Sequence, residues 1–192
     1  MNCIEKLGNI ISKIQIIEKP VLEEFLSIFS EKKIAKGEHL VKTEQLITKA
    51  SFVCSGVFRS YYTDSNGKEI NQAFLLQNDF IVSRLTSLSK SLVNIQAIED
   101  CEFLVADINR INDLANKHHS IAKLFLKIVS LYFDKNQDRE IKLRIQDAKE
   151  NYEYFLKEYP NLINKIPHYY IASHLQISST HLSRIRREIS LK

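Results

Sequence analysis

The chain has 192 residues, of which 44% are apolar and 26% charged, with only four Gly and three Pro. That mixture excludes a disordered or collagen-like chain and leaves room for one large domain or two modest ones without long flexible linkers. The net charge of +4 is too small to imply a nucleic-acid partner by itself, but residues 168–192 concentrate Arg184, Arg186, Arg187 and Lys192 against Glu188 alone.

No apolar run reaches the roughly 18 residues of a membrane span, so no membrane partner is expected. The N-terminal MNCIEKLGNIISKIQIIEKP is interrupted by Glu5, Lys6 and Lys13, unlike the apolar centre of a secretory signal. Cys3, Cys54 and Cys101 are odd in number and far apart. They predict thiols in a reducing cytoplasm rather than a disulfide framework or a zinc site.

In chain order, Ile10, Ile14 and Ile17 predict helix across residues 4–30, interrupted where Pro20 opens a second short helix. From about residue 31 the period shortens. Gly37 marks a turn, and the aromatic and β-branched stretch from Phe52 contains DSNGKE, a strong hairpin signal. Phe52–Thr63 and Glu69–Leu76 are therefore expected to be the two arms of one hairpin. VNIQAIEDCEFLVAD adds two short strands around Glu99 and Asp100, and the set suggests an antiparallel β-roll.

Asp107 is placed to cap the helix INRINDLANKH. After it, Ile121, Leu124, Ile128 and Leu131 recur at the spacing of an a/d seam, up to the polar run DKNQDRE at 134–140. Periodicity leaves two readings open, a dimer seam or a helix lying on the roll; the polar run is the expected hinge. AKENYEYFLKEYP is a further helix with Tyr152, Phe155, Leu156 and Tyr159 on one face, ended by Pro160.

The C-terminal HYYIASHLQISSTHLSRIRREI has helix-turn-helix spacing. Ile171, Ala172 and Leu175 fit a first helix, Gln176 to Ser178 the turn, and Leu182, Ile185 and Ile189 the buried face of a second helix capped by Ser178. Gln176 occupies the turn position that often takes positive φ and is usually Gly. The other face carries Ser179, Thr180, His181, Ser183, Arg184 and Arg187. Short hydroxyls at a helix N-terminus followed by arginines suit a major groove: Arg184 can reach guanine O6 and N7, and Arg186 and Arg187 can reach phosphates.

Taken together, FVCSGVFRSYYTDSNGKE, NDFI, IEDCEFLVADINRINDL and IPHYYIASHLQISSTHLSRIRREI make the chain resemble the Crp/Fnr family of transcription regulators over nearly its whole length. The resemblance implies an α+β fold. Residues 1–117 would form a cyclic-nucleotide-binding-like antiparallel β-roll, 118–145 a long dimerisation helix and hinge, and 146–192 a helix-turn-helix domain. Because Lys192 follows closely on the second helix, little or no wing is expected. The resemblance also implies a homodimer on near-palindromic double-stranded DNA, with RNA polymerase as a further partner and a small-molecule effector.

Two departures from the cyclic-nucleotide pattern bear on that effector. Val82 and Ser83 stand where the resemblance implies Gly and a ribose-binding Glu. Ser91 and Leu92 stand where it implies Arg and Ser or Thr at the phosphate. Without that Arg the phosphate loses a charge-assisted pair, so cAMP is not the expected ligand, although Arg84 and Lys90 lie nearby. No cofactor or metal is expected: an iron–sulfur cluster needs four cysteines, and His39 is the one histidine of the roll. No G-x-S-x-G or Gly-rich phosphate loop occurs, and His118-His119 fits a polar helix start, so no catalytic residues and no enzyme activity are expected. The alternative function is a small-molecule or protein-interaction roll without operator binding.

Overall fold

In the computed structural model, which describes residues 1–81 and 89–190, helix α1 runs Cys3–Ile14 and α2 runs Lys19–Ser27. Asn2 and Glu5 start α1 with a reciprocal capping box: Asn2 Oδ1 accepts from Glu5 N at 2.8 Å, and Asn2 N donates to Glu5 Oε2 at 3.0 Å. Pro20 sits in the first turn of α2, as its fixed φ favours. Leu7, Ile11 and Phe25 turn inward. Contrary to the expectation of independent thiols, Cys3 at the start of α1 is disulfide-bonded to Cys54 in the roll, with Cα atoms 5.4 Å apart. Cys101 is buried and free.

Among the described residues eight strands follow: β1 Ser30–Ile34, β2 His39–Val41, β3 Lys49–Ser55, β4 Phe58–Thr63, β5 Glu69–Leu75, β6 Phe80–Ile81, β7 Asn94–Ala97 and β8 Cys101–Asp107. They pair antiparallel in two sheets, in the orders β1-β8-β3-β6 and β2-β7-β4-β5. The expected arm Phe52–Thr63 is two strands, because the chain passes from one sheet to the other at Gly56. Its φ of +91° suits Gly alone, and a Cβ there would meet Cys101 Sγ at 2.5 Å and Asp100 O at 2.9 Å. The hairpin at DSNGKE is therefore β4–β5, closed by Asp64 Oδ1, which accepts from Asn66 N and Lys68 N. Val53, Phe58, Ile95 and Phe103 fill the space between the sheets.

Asp107 caps α3, Ile108–Lys117, as its sequence suggests. Helix α4 then runs His119–Ile145 without a break, so DKNQDRE, the expected hinge, is regular helix. The run contains no Gly or Pro, and its Lys, Gln, Arg and Glu are good helix formers. The chain bends one residue after α4 ends, at Gln146 (φ −93°, ψ 150°), before Asp147 caps the next helix. Ile121 and Leu124 are fully buried and Ile128 nearly so, all in the protein's own core with α1, α2 and the roll. They are not available as a seam for a partner; of the four seam residues only Leu131 is exposed. Besides Leu131, α4 exposes Leu126, Phe133, Ile141 and Ile145, by 68%, 59%, 52% and 74%.

The C-terminal part comprises α5 Ala148–Glu158, a 3₁₀ turn at Leu162–Asn164, α6 His168–His174 and α7 Ser179–Ser190. Ile171, Ala172, Leu182 and Ile185 are buried where α6 and α7 cross. Gln176 has φ +58° in the turn between them, so the conformation that favours Gly is held by a residue with a Cβ. Replacing Gln176 with Gly should raise stability by roughly 0.5–1 kcal/mol, the relief of left-handed strain less the added chain entropy; a lower denaturation midpoint would contradict this.

The disulfide closes a sequence separation of 51 residues. Chain-entropy reasoning puts its contribution at about 4 kcal/mol at most. Reductant should lower the melting temperature of the wild-type protein and leave that of Cys3→Ser unchanged, read by differential scanning calorimetry.

Candidate nucleic-acid interface and the junction behind it

Helix α7 is divided cleanly by its sequence. Leu182 and Ile185 anchor it, and Ser178 Oγ accepts from His181 N at 3.1 Å to cap it. Ser179, Thr180, Ser183, Arg184 and Arg187 face outward and are exposed; His181 is half-buried. Ser183 Oγ donates back to Ser179 O at 2.9 Å. Among the described residues Arg184 and Arg187 have no ion-pair partner. Arg186 differs: its Nη1 lies 2.6 Å from His168 Nδ1, and its charge reaches Tyr152. Burial first, and then the Arg186 charge, lower the His168 pKa, so the neutral ring serves as acceptor. Arg186 thus braces α7 against α5 and α6 rather than reaching outward for phosphate.

The helix pair is docked on the roll by a residue the sequence reading missed. Arg59 of β4 is 3% exposed. Its Nη1 meets Glu69 Oε2 at 2.6 Å, and its Nε and Nη2 donate to Gln96 Oε1 at 2.8 and 2.6 Å. Its guanidinium lies between two rings, 4.0 Å from the centroid of Tyr61 on β4 and 4.1 Å from that of Tyr170 on α6. Beside it, Asn71 N donates to Ser173 Oγ at 3.0 Å, and Ser173 Oγ donates to Glu69 O at 3.1 Å. The sequence signal was an Arg inside the aromatic strand FRSYY, a residue type rarely buried unless paired.

Of the residues expected to line an effector pocket, Val82, Ser83 and Arg84 lie outside the described residues, as does Lys192 at the chain end. Ser91 is fully buried and occupied locally: Oγ donates to Val93 O at 2.7 Å and accepts from Val93 N at 3.2 Å. Lys90 is paired with Glu44 at 3.0 Å. Among those described, only Leu92 lines a cavity, one of about 370 Å³ that extends from the roll along α4 to α5 and α6. Its roll side includes Phe74, Phe80 and Ile95; Tyr132, Lys135, Arg139 and Lys142 come from α4. Phe155, Glu158, Tyr159 and His174 come from the C-terminal helices. Lys135 pairs with Glu158 at 2.8 Å, and Lys142 Nζ stands 3.7 Å from the Tyr154 ring centroid.

His174 is 5% exposed and packs against Phe74, Phe155 and Tyr159. Burial, reinforced by the Arg139 charge, pushes its pKa down to about 3. Among the described residues, no group of three His, Cys, Asp or Glu side chains could hold a metal ion, and no helix is long and apolar enough to cross a membrane.

Residues 31–118 match the cyclic nucleotide-binding domain family. No curated protein matches the chain by sequence. Among solved structures, FixK2 from Bradyrhizobium japonicum superposes with a TM-score of 0.78 at 18% identity, over 85% of each chain. A Crp/Fnr-family transcriptional regulator described as putative, from Eubacterium rectale, gives 0.71 at 17% identity over 91% of this chain and 84% of that one. The c-di-GMP-responsive regulator CLP from Xanthomonas campestris gives 0.68 at 12% identity over 91% and 92%. Residues 31–118 thus resemble a cyclic nucleotide-binding domain, and over most of its length the chain has a fold like that of these solved structures.

His174 also makes stability depend on pH. Its folded pKa lies below the 6.5 of an unperturbed ring. The unfolded chain therefore takes up a proton that the folded chain refuses between pH 6.5 and about 3. The contribution of the neutral ring is complete above pH 6.5 and is lost as pH falls through that window. Denaturation midpoints measured from pH 7.5 to 4 should fall more steeply for the wild type than for His174→Phe; parallel curves would contradict the assignment.

Proposed function

We propose that the chain is a dimeric, sequence-specific DNA-binding transcription regulator of the Crp/Fnr type, with a roll that does not bind cAMP. The observation that carries this reading is α7: a capped helix anchored by Leu182 and Ile185 that presents Ser179, Thr180, Ser183, Arg184 and Arg187 to solvent. An ordinary solvated helix mixes acidic and basic side chains, whereas this face carries hydroxyls and arginines with Glu188 the single acid of the helix. Arg184 is the proposed base reader, Arg187 a phosphate contact, and Thr180 and His181 contacts near the helix N-terminus.

Dimerisation is proposed through the outer stripe of α4, Leu126, Phe133 and Ile141, in place of the inner residues that periodicity suggested. Two copies related by a two-fold axis would set their α7 helices in successive major grooves about 34 Å apart, on a near-palindromic operator. RNA polymerase is the proposed further partner of the operator-bound dimer. Nothing in the reading assigns catalytic chemistry to the chain.

The test is selection from random duplex DNA, followed by titration of the enriched sequence at several salt concentrations. A palindromic consensus and a steep salt slope are expected. Arg184→Ala should lose about 1–3 kcal/mol of discrimination at one base pair, and Phe133→Glu should abolish binding to the full palindrome. Absence of an enriched sequence, or equal base preference in Arg184→Ala, would leave α7 as a structural helix and favour a roll that binds only a small molecule.

A further inference from the structure

The cavity at the junction is lined by two side chains that each have one buried atom without a hydrogen-bond partner. Among the described residues, the buried side-chain nitrogen and oxygen atoms without a partner are Arg139 Nε, Gln146 Oε1 and His174 Nδ1. Arg139 and His174 line the same cavity. The other contacts of Arg139 are long: Nη2 to His174 O at 3.3 Å and Nη1 to Glu140 Oε1 at 3.8 Å. A guanidinium stays protonated, so a largely buried one with an idle donor is costly unless an acceptor, best an anionic one, completes it.

His174 supplies the complementary feature. Burial keeps the ring neutral, and a neutral ring can present its unpartnered Nδ1 as an acceptor. The remaining charges in the wall are mostly committed, Lys135 to Glu158 and Lys142 to the Tyr154 face. Asp79 accepts from Leu76 N at 2.8 Å, and burial raises its pKa. One anionic group is therefore the charge that the wall can balance. The rest of the wall is apolar, with Phe74, Phe80, Ile95 and Phe155 prominent.

We propose that this cavity binds a small amphipathic carboxylate: the carboxylate on Arg139, an adjacent hydroxyl or N–H donating to His174, and an aromatic or short acyl body against the Phe and Ile wall. The volume of about 370 Å³ is at the small end of ligand pockets. Of the expected effector residues that are described, the site includes Leu92 and not Ser91. It also joins all three parts of the protein, because Arg139 belongs to α4, Phe74 to the roll and His174 to the helix-turn-helix. Resting on the regulator reading, its consequence is that the bound carboxylate favours the arrangement in which α6 is docked on the roll, and so biases where α7 points.

The test is calorimetric titration of the full chain, without DNA, with 3-phenyllactate as probe. Parallel arms use its neutral amide, inorganic phosphate and cAMP. Saturable one-to-one binding of phenyllactate is expected, weakened by about 10-fold or more in the amide and in Arg139→Gln, as for loss of a hydrogen bond to a charged group. His174→Phe, which keeps the packing, should weaken phenyllactate more than it weakens 3-phenylpropanoate, which lacks the hydroxyl. No binding of phenyllactate, or binding unaffected by Arg139→Gln in a variant that melts cooperatively, overturns the proposal. So does preference for phosphate or cAMP over the carboxylate. Because this titration contains no DNA, its failure leaves the operator selection untouched, and failure of the selection leaves this result standing.

Discussion

Arg59 is the constraint on which the arrangement of this protein rests. A guanidinium buried in a strand is unfavourable unless its donors and its charge are matched, and here Glu69, Gln96 and the faces of Tyr61 and Tyr170 do so together. Three of those four partners come from the roll and the fourth from α6. Moving the helix-turn-helix off the roll would strip one face from a buried cation and break the Asn71–Ser173 hydrogen bond beside it. The direction in which α7 points is thus tied to the interior chemistry of the β4–β5 hairpin.

Helix α4 converts that local docking into a property of the whole chain. Its inner face is continuous with the core at Ile121, Leu124 and Ile128, then becomes polar where it passes the junction at Lys135, Arg139 and Lys142. The same polar stretch that resembles a break in an apolar seam is the part of the helix that meets the C-terminal helices. The helix is continuous through this stretch, and the bend in the chain lies at Gln146 instead. The Tyr132 hydroxyl, which donates to Phe80 O at 2.9 Å and accepts from Phe80 N at 2.8 Å, fastens this helix to the short strand β6.

Much of the fold was legible in the residues because the signals are local. Pro20, the Asn66-Gly67 turn, Asp107 and Ser178 mark element boundaries through the backbone conformations and caps they favour. The helix-turn-helix was legible for the same reason, and even the unusual Gln176 falls where positive φ was anticipated. The strand break at Gly56 was missed because alternation of apolar residues continues across it; what splits the strand is the proximity of Cys101, which only the folded roll provides. Two readings of the α4 seam stayed open because both faces of the helix carry apolar residues, and periodicity cannot say which face meets the chain's own core.

The sequence by itself determined most of the helices, the hairpin turn at DSNGKE and the polar, basic face of α7, since each follows from backbone preference or from helical spacing within about a dozen residues. The tertiary structure alone decided three pairings. Cys3 meets Cys54 across 51 residues, Arg139 meets His174 across 35, and Arg59 stacks on Tyr170 beside an Asn71–Tyr170 contact that spans 99. No local pattern encodes such meetings. They arise because the two sheets, the rod of α4 and the C-terminal helices leave one place where a buried arginine can satisfy its charge and another where it is left with a donor to spare.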